Sequence, residues 1–426
     1  MNYSVVIHTN AKNQHDVCIV DEDMLPACFF LSNHIVYSFS DLAFNTRLTY
    51  AKTLLFVFCY FTAKSIDLPE RVRSGKFFTR EEYEDFKRYC KYKKEDEIES
   101  KNVISFEKLS AKKLDNLIYA TQSTEGKVAS TTVKMRLRQF KDYISYLYQT
   151  FHFANNAPVS VCQNHDDFVR QLDIDIRSTK DNNASVKDPF EQSIPDAVFF
   201  KILEISKPFS PENPWTKNTR NRNKLILSVL IDTGIRQGAL AKLKKSDLKE
   251  DTHGARLLIT RTPDDPTDPR KHKPAQKTKA HSSAISVETK DALKRYINTE
   301  RNGYHKANTH DFIFVGTKGD HEGLPITNSA IAKIFKTLAD AVEFPLHPHL
   351  FRHKWNEIFH QKALKAGFTH SQMVDIAKYA MGWTESSTMI SRYNEFCFAV
   401  TVHELSAQRQ SETVPSQKEA SNENNK

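Results

Sequence analysis

Apolar residues follow a helical period through most of this chain. The stretch that begins at Ser40 and Asp41, which can cap a helix, places Leu54, Leu55 and Phe58 at spacings of three and four residues, as one face of a helix requires. Glycine is scarce, at 11 of 426 residues, which disfavours glycine-rich phosphate loops and turn-dense β-sandwiches. The pattern therefore predicts a mainly α-helical fold.

Interruptions of the helical pattern divide the first half of the chain. Residues 1–36 alternate short apolar runs with polar turns, which predicts a small β-hairpin. Residues 37–154 predict a helical bundle, with helices starting near Thr79, over 110–120 and over 131–151. Residues 155–190 are polar and predict a linker with one short helix around Phe168.

The second half predicts a separate domain over residues 191–405. It opens with a helix start at Pro195 and Asp196. Two strand-like runs, 255–260 and 283–287, flank a basic, proline-containing segment, and helical sequence lies on both sides. We expect an α-rich domain with a small antiparallel sheet. The last residues, 406–426, are polar and predict a disordered tail.

Charge and cysteine usage narrow the classes of function. The chain has 61 Lys and Arg residues against 52 Asp and Glu residues, a formal net charge of +9, which favours a polyanionic partner. The six cysteines are dispersed without a CxxC pair, which disfavours a disulfide framework and a zinc site and suits a reducing cytoplasm. The longest apolar run, 54–61, is far shorter than the roughly 20 residues of a membrane span, and no secretory signal is readable.

Three short motifs in the second domain can carry chemistry. In the first, Gly234 and Ile235 precede Arg236 at a predicted helix start, where a guanidinium beside free backbone N–H groups makes an anion site. Taken alone, this arginine is better explained as an exposed residue after a turn.

The second motif runs from His349 to His353. The spacing puts His349 and Arg352 on one helix face, so both side chains can address one ligand. A metal site formed by His347, His349 and His353 is an alternative, but no carboxylate or cysteine lies close in sequence to complete it.

The third motif is Gly382-Trp383, followed ten residues later by Tyr393. A tyrosine near the end of a helical domain is usually packed or exposed without a catalytic role. The order of the three motifs changes that interpretation.

Arg236, a lysine on a β-hairpin, His349 with Arg352, Gly382-Trp383 and Tyr393, in this order, resemble the tyrosine recombinase (phage integrase) family. The resemblance covers roughly residues 190–400. The preceding bundle is similar to the family's core-binding domain, with residues 45–54 similar to its opening helix. The resemblance implies a site-specific recombinase or integrase, of a mobile element or a chromosome, that cuts and rejoins double-stranded DNA.

The resemblance also implies a role for each residue. Arg236 and Arg352 would clamp the phosphate, since a phosphorane needs fixed cations around its oxygens. Tyr393 would be the nucleophile, giving a 3′-phosphotyrosine and a free 5′-hydroxyl. Lys277, or Lys279 as the alternative, would protonate the leaving oxygen. The link conserves the bond energy, so neither metal, ATP nor any other cofactor is implied.

Two further positions complete the implied site. His349 would orient the groups around the tyrosine and accept a proton there, because the ordinary pKa of histidine suits proton transfer. Trp383 stands where most members have histidine; its indole N–H can donate to phosphate but cannot act as a base. The chain departs from the family at Ala239, where members often have Asp or Glu, and the spacing from Trp383 to Tyr393 is about one residue longer than usual.

DNA contacts are expected from both domains, mostly to phosphates, so that binding weakens steeply with salt. Each candidate is a basic residue on a predicted helix or in the basic segment, and each reads equally well as part of a solvated face. The candidates are Arg47, Lys134, Arg136, Arg138 and Lys141 in the first domain and Arg220, Arg222, Lys224, Lys242, Lys244, Lys245 and Lys279 in the second.

An apolar stripe follows Tyr393, with Phe396, Phe398, Val400 and Leu405. It predicts either a last core helix or, as the resemblance implies, a helix exchanged with a neighbouring protomer in a dimer or a tetramer on DNA, assembled around a Holliday junction. The resemblance places such an enzyme in the cytoplasm, on the nucleoid.

Three other functions remain open at this stage. A topoisomerase IB-like enzyme shares the phosphotyrosine chemistry but relaxes supercoils as a monomer. A DNA-binding accessory protein with a degenerate site is hinted at by Ala239, and a metal-dependent relaxase by His347, Pro348 and His349.

Overall fold

The computed structural model describes residues 2–9, 15–93, 126–153, 157–180 and 189–387, together with 395, 398–400, 402–403 and 405–410. The helix predicted over 110–120 and the nucleophile candidate Tyr393 lie outside the described residues. Contacts between Cα atoms divide the chain into two compact units, residues 1–186 and 187–426.

The first unit opens with a β-hairpin followed by helices. Strands β1 and β2 pair antiparallel, with Ser4 opposite Val20 and Thr9 opposite His15. The elements are β1 (Ser4–Thr9), β2 (His15–Val20), α1 (Phe29–Ser38), α2 (Phe44–Ala63), α3 (Leu68–Arg73), α4 (Arg80–Tyr89), α5 (Ser130–His152) and α6 (Val159–Ser178).

Local sequence explains why these helices begin and what they bury. Helix α4 starts with a capping box, in which Thr79 and Glu82 satisfy each other's backbone N–H groups. Helix α5 buries Val133, Leu137 and Phe140, spaced at four and three residues. The stacked rings of Phe61 and Phe140, with centroids 5.0 Å apart, join α2 to α5 in an aromatic core.

Much of the segment predicted as a linker is part of this first core. Helix α6 has 20 residues, longer than the short helix predicted around Phe168, and it buries Leu172 and Ile176 among the residues of α2, α4 and α5. The Tyr83 hydroxyl also donates to Asp175 at 2.7 Å. The polar residues that suggested a linker occupy the exposed face of an amphipathic helix.

The second unit contains seven helices within residues 189–387 and a three-stranded antiparallel sheet in the order β3-β4-β5. Its elements are α7 (Asp196–Ile205), α8 (Arg220–Thr233), α9 (Gln237–Leu240), β3 (Leu248–Asp251), β4 (Gly254–Ile259), β5 (His281–Ala284), α10 (Val287–Asn298), α11 (Asn328–Val342), α12 (Pro348–Lys365) and α13 (His370–Met381).

The predicted fold class, mainly helical with a small antiparallel sheet, is confirmed. The sequence missed β3, which is short and mostly charged and so shows no apolar alternation. It pairs with β4 through Leu248 opposite Leu257, while Leu257 also faces Ser283 of β5. Residues 406–410, placed in the tail by the sequence, are helical, and the rest of that tail lies outside the described residues.

The core of the second unit lies between α8, α10, α11 and α12. Ile226 and Leu230 of α8 pack with Leu338 of α11 and Leu350 of α12, all nearly inaccessible to solvent. Within the described segments, no helix is both long and apolar enough to cross a membrane.

Candidate active site

The first motif lies on a tight turn that only glycine allows. Helix α8 ends at Gly234, which has a left-handed backbone with a φ of 59°. A Cβ at this position would lie 2.9 Å from the Cγ of Trp355 on α12, so a side chain does not fit. The turn places Arg236 directly before α9, half-buried rather than on an open surface.

The second motif occupies the start of α12. His347 precedes the helix and Pro348 is its first residue, a position where the missing N–H of proline costs nothing. The Arg352 side chain is 1% exposed. Its Nη1 donates to the carbonyl oxygen of Gly234 at 2.8 Å, and its Nη2 donates to that of Met381 at 3.3 Å. Arg352 thereby joins all three motifs.

The third motif is a second glycine turn. Helix α13 ends at Gly382, with a φ of 60°, and the guanidinium of Arg352 lies over the Trp383 ring at 5.4 Å from its centroid. The carbonyl oxygen of Gly382 accepts a 2.8 Å hydrogen bond from the backbone N–H of Lys279. The loop before β5 is therefore attached to the turn that carries Trp383.

His281 is a residue of this site that the sequence did not reveal. It is the first residue of β5, and its ring contacts Gly382 so closely that a Cβ there would overlap Nδ1. Burial lowers the pKa of His281, the carbonyl of Lys279 partly opposes that shift, and the guanidinium groups of Arg352 and Arg236 lower the pKa further. No motif in the sequence marked His281, because only the fold brings the start of β5 beside the arginines.

His349 is held neutral at physiological pH. Burial first, then the neighbouring imidazole of His353 and the guanidinium groups of Arg352 and Arg236, lower the pKa of His349 to about 4. A neutral imidazole beside two permanent cations can accept a proton. The site therefore divides its roles between fixed positive charge and uncharged proton acceptors.

The basic segment between β4 and β5 packs against this site. Arg270 is buried and pairs with the buried carboxylate of Asp268 at 2.7 Å, and it also donates to the carbonyl oxygen of Ala241 at 2.9 Å. The side chains of Lys277 and Lys279 are exposed. Of these two lysines, Lys279 is the one whose backbone is bonded to Gly382.

The alternative metal site finds no ligand set in the described part of the chain. The ring centroids of His347 and His349 are 6.5 Å apart, and those of His349 and His353 are 4.9 Å apart in an edge-on contact. No group of three or more His, Cys, Asp or Glu residues among the described ones is arranged to hold a metal ion.

Ala239, the position at which the sequence departs from the expected pattern, is 4% exposed within the core of the second unit. A carboxylate there would be desolvated and would need a partner. Together with the contacts above, this leaves five candidate site residues in the part of the chain that the structure describes: Arg236, His281, His349, Arg352 and Trp383.

Several predicted DNA contacts are structural instead. The Arg136 guanidinium lies 3.8 Å from the Phe56 ring centroid and donates to the carbonyl oxygens of Cys90 and Tyr92. Arg136 shares the buried face of α5 with Val133, whereas Arg138 is exposed. The structure does not support DNA contact by Arg136.

The same correction applies to Arg222 and Lys242, which are buried. Arg222 donates to the carbonyl oxygen of Val315 at 2.9 Å, and the Lys242 ammonium to that of Thr262. The sequence showed that these segments carry basic residues, but it did not show which of their side chains face the core.

Four further candidates form hydrogen bonds or ion pairs within the protein. Arg47 pairs with Asp16 at 3.3 Å, Lys141 with Asp173 at 2.8 Å and Lys244 with Asp265 at 2.8 Å. Arg220 donates to three backbone carbonyls.

The remaining candidates differ in exposure and in their contacts. Burial lowers the pKa of Lys224, whose ammonium lies 3.2 Å from the Ser206 hydroxyl. Lys245 lies 3.5 Å from Asp311. Lys134 is half-buried, and Arg138 and Lys279 are exposed.

Comparison with known protein families defines the second unit as the domain of a tyrosine-type site-specific recombinase. Residues 201–398 match the model of the phage integrase family, and this domain belongs to that family. The resemblance drawn from the ordered motifs is confirmed. No match is found among curated protein sequences.

Solved structures of recombinases are similar to the chain at low identity. XerA recombinase is 14% identical, with 88% of this chain and 97% of that chain covered and a TM-score of 0.34. The Tn1549 transposon integrase in complex with circular intermediate DNA is 13% identical, with coverages of 85% and 93% and a TM-score of 0.47. A lambda integrase dimer bound to a core site is 15% identical, with coverages of 68% and 81% and a TM-score of 0.34.

Proposed function

We propose that this protein is a DNA strand-exchange enzyme that cuts and rejoins double-stranded DNA through a 3′-phosphotyrosine link to Tyr393. The observation that carries the proposal is that Arg236 before α9, His349 and Arg352 of α12 and Trp383 after α13 come together within one family-matched domain. Two guanidinium groups and an indole N–H are donors suited to the charge that develops on a phosphodiester.

Each residue then has a defined step. The hydroxyl of Tyr393 gives its proton to neutral His349, and its oxygen forms the bond to phosphorus. The bond from phosphorus to the 5′-oxygen breaks, its electron pair stays on that oxygen, and Lys277 or Lys279 supplies the proton. Arg236, Arg352 and Trp383 hold the non-bridging oxygens throughout. Rejoining is the same sequence in reverse.

Self-association on DNA is part of the proposal. Phe398, Val402 and Leu405 lie at spacings of four and three residues in the C-terminal helical segment and are exposed by 63%, 62% and 61%. A second copy of this chain on the same DNA is the proposed partner for this face, as the family resemblance implies. The enzyme would act where its DNA is, on the nucleoid.

Covalent trapping tests the proposed function. Nicked duplexes from the DNA that flanks the gene are incubated with the wild-type protein in excess EDTA and separated on a denaturing gel. We expect a chelator-resistant protein–DNA adduct that disappears in Tyr393→Phe but persists in Tyr379→Phe, a matched change at an exposed tyrosine of α13.

Other outcomes separate the alternatives. Shifted but never covalent DNA, on a panel that includes the true site, would favour a DNA-binding accessory protein. An adduct with relaxation of supercoiled plasmid but without resolution of a Holliday junction would favour a topoisomerase IB-like enzyme.

A further inference from the structure

The ring of His281 has one nitrogen engaged and one without a partner. Its Nδ1 lies 3.0 Å from the carbonyl oxygen of Lys279, an acceptor only, so Nδ1 carries the hydrogen. Nε2 is buried and has no hydrogen-bond partner among the described residues. A buried polar atom without a protein partner needs a partner from outside the chain, such as water, an ion or a bound ligand.

The surroundings of Nε2 define the ligand. The charged groups that act on the imidazole are the guanidinium groups of Arg352, from α12, and Arg236, from the turn before α9. The loop before β5 contributes the carbonyl of Lys279, and the turn after α13 contributes the backbone of Gly382. Among the residues that the structure describes, two cations and no carboxylate act on the ring, so a ligand held there carries negative charge.

We propose that His281 is a further catalytic residue, which takes up a proton from solvent when a phosphodiester enters the arginine clamp and donates Nε2–H to a non-bridging oxygen. This inference rests on the proposed function and assigns a third cation to the clamp.

The charge balance explains why the proton arrives with the substrate. Burial and the two arginines lower the pKa of His281 and so favour the neutral imidazole. The negative phosphate offsets both guanidinium groups, so the protonated ring becomes favourable once the site is filled. Nδ1–H continues to donate to Lys279, and Nε2–H faces the ligand.

The placement also accounts for Trp383. An indole donates one hydrogen bond but carries no charge. His281 reaches the same region from the sheet, packed against Gly382, the residue directly before Trp383. An imidazole from β5 would thus supply the charge that the tryptophan lacks.

A side-chain NMR titration tests the inference without requiring catalysis. The full-length protein is titrated with acid in the presence and absence of sodium sulfate, whose charge is fixed over the range used. We expect sulfate to raise the titration midpoint of His281 by about one unit or more, while the signal of His253, exposed in the turn between β3 and β4, does not respond to sulfate. An unchanged His281 midpoint overturns the inference.

A second measurement uses the cleavage rate as a function of pH. His281→Gln keeps a neutral N–H donor, so we expect a rate about tenfold below wild type that no longer falls as the pH rises through the His281 titration. His281→Leu has no donor, and we expect about a hundredfold loss. Thermal melting of both variants identifies loss of folding, and His253→Gln is the matched control.

The two proposals fail in different ways. Wild-type protein that forms no Tyr393-dependent adduct contradicts the proposed function, while the sulfate titration still decides the protonation of His281. An adduct formed at the wild-type rate and pH profile by His281→Leu contradicts the role of His281 alone.

Discussion

The Nη1 of Arg352 donates a 2.8 Å hydrogen bond to the carbonyl oxygen of Gly234, 118 residues earlier in the chain. Gly234 lies two residues before Arg236, so this bond fixes the start of α12 relative to the turn that carries the other arginine. The second bond, from Nη2 to Met381, does the same for the turn that carries Trp383. One buried guanidinium therefore sets the geometry of the whole clamp.

Arg352→Lys should separate positive charge from this geometry. An ammonium retains the charge but lacks the planar fork that reaches two carbonyls and a phosphate. We expect covalent cleavage to fall by about 100-fold or more, as for loss of a preorganised donor, measured by single-turnover trapping. Arg295→Lys, at an exposed position of α10, is the control. Wild-type cleavage by Arg352→Lys would show that the fork is dispensable.

Gly382→Ala should damage the site more than its backbone conformation alone explains. A Cβ would lie 2.8 Å from the carbonyl oxygen of Lys279 and would overlap the His281 ring. Gly367 has a similar positive φ, 75°, with no atom within 4 Å of a Cβ, so Gly367→Ala reports the backbone strain by itself. We expect Gly367→Ala to lose about 1 kcal/mol of unfolding free energy and to keep its cleavage activity. Gly382→Ala should lose more unfolding free energy than that and should also lose cleavage activity. Equal cleavage by the two would contradict this account.

Arg136 and Arg138 are two residues apart on α5 but should behave oppositely. Arg136→Ala leaves the carbonyls of Cys90 and Tyr92 without their donor and removes the contact with Phe56, so we expect a loss of about 3 kcal/mol of stability. Arg138→Ala should leave the melting temperature unchanged and weaken DNA binding with a shallower salt dependence. Thermal melts and fluorescence anisotropy with duplex DNA at two salt concentrations check both. A stable Arg136→Ala protein with weakened DNA binding would restore the original prediction.

Acid should destabilise the folded protein well above the range where carboxylates titrate. Burial lowers the pKa of His34 and His353 to about 4, as it does for His349, from an ordinary value of 6.5. Between these values the unfolded chain binds protons that the folded chain does not, so the free energy of unfolding falls as the pH is lowered from 6.5 towards 4 and is unaffected by these groups above that range. Urea midpoints across this range measure the decline.

His34→Leu tests the acid effect at one residue. Its imidazole is 2% exposed and packs against Tyr146 within the first unit, with ring centroids 4.8 Å apart. We expect the variant to lose less stability than wild type on acidification, whatever its stability at neutral pH. An equally steep decline would show that His34 does not contribute.

The exposed apolar face near the C-terminus should control assembly. Replacing Phe398, Val402 and Leu405 with serine should leave the melting temperature unchanged, because these side chains are exposed within the chain, and should abolish higher-order complexes on DNA. Light scattering with and without duplex DNA measures assembly, and Ala407→Ser with Gln410→Ser is the control on the same segment. Unchanged assembly of the serine variant on DNA would show that this face is not the surface through which the copies associate.

The sequence determined the helical class, the small sheet and the family, because helical period and the order of short motifs are local signals. Arg236, Arg352 and Gly382-Trp383 could be identified as candidate site residues from the sequence alone. Each belongs to a short motif, a glycine turn or a histidine three residues before an arginine, that lies within a few consecutive residues. The prediction of a linker over residues 155–190 was wrong for the same reason. Helix α6 is amphipathic, and a local pattern does not show that its apolar face packs against α2, α4 and α5.

The tertiary structure was needed to establish which side of each element faces the core and which distant segments meet. It turned Arg136, Arg222 and Lys242 from candidate DNA contacts into buried donors to backbone carbonyls. It also brought the start of β5 beside the arginine clamp, which put His281 in the site. Burial, and with it the neutral state of the site histidines, depends on contacts between residues far apart in the chain, and no local pattern encodes those.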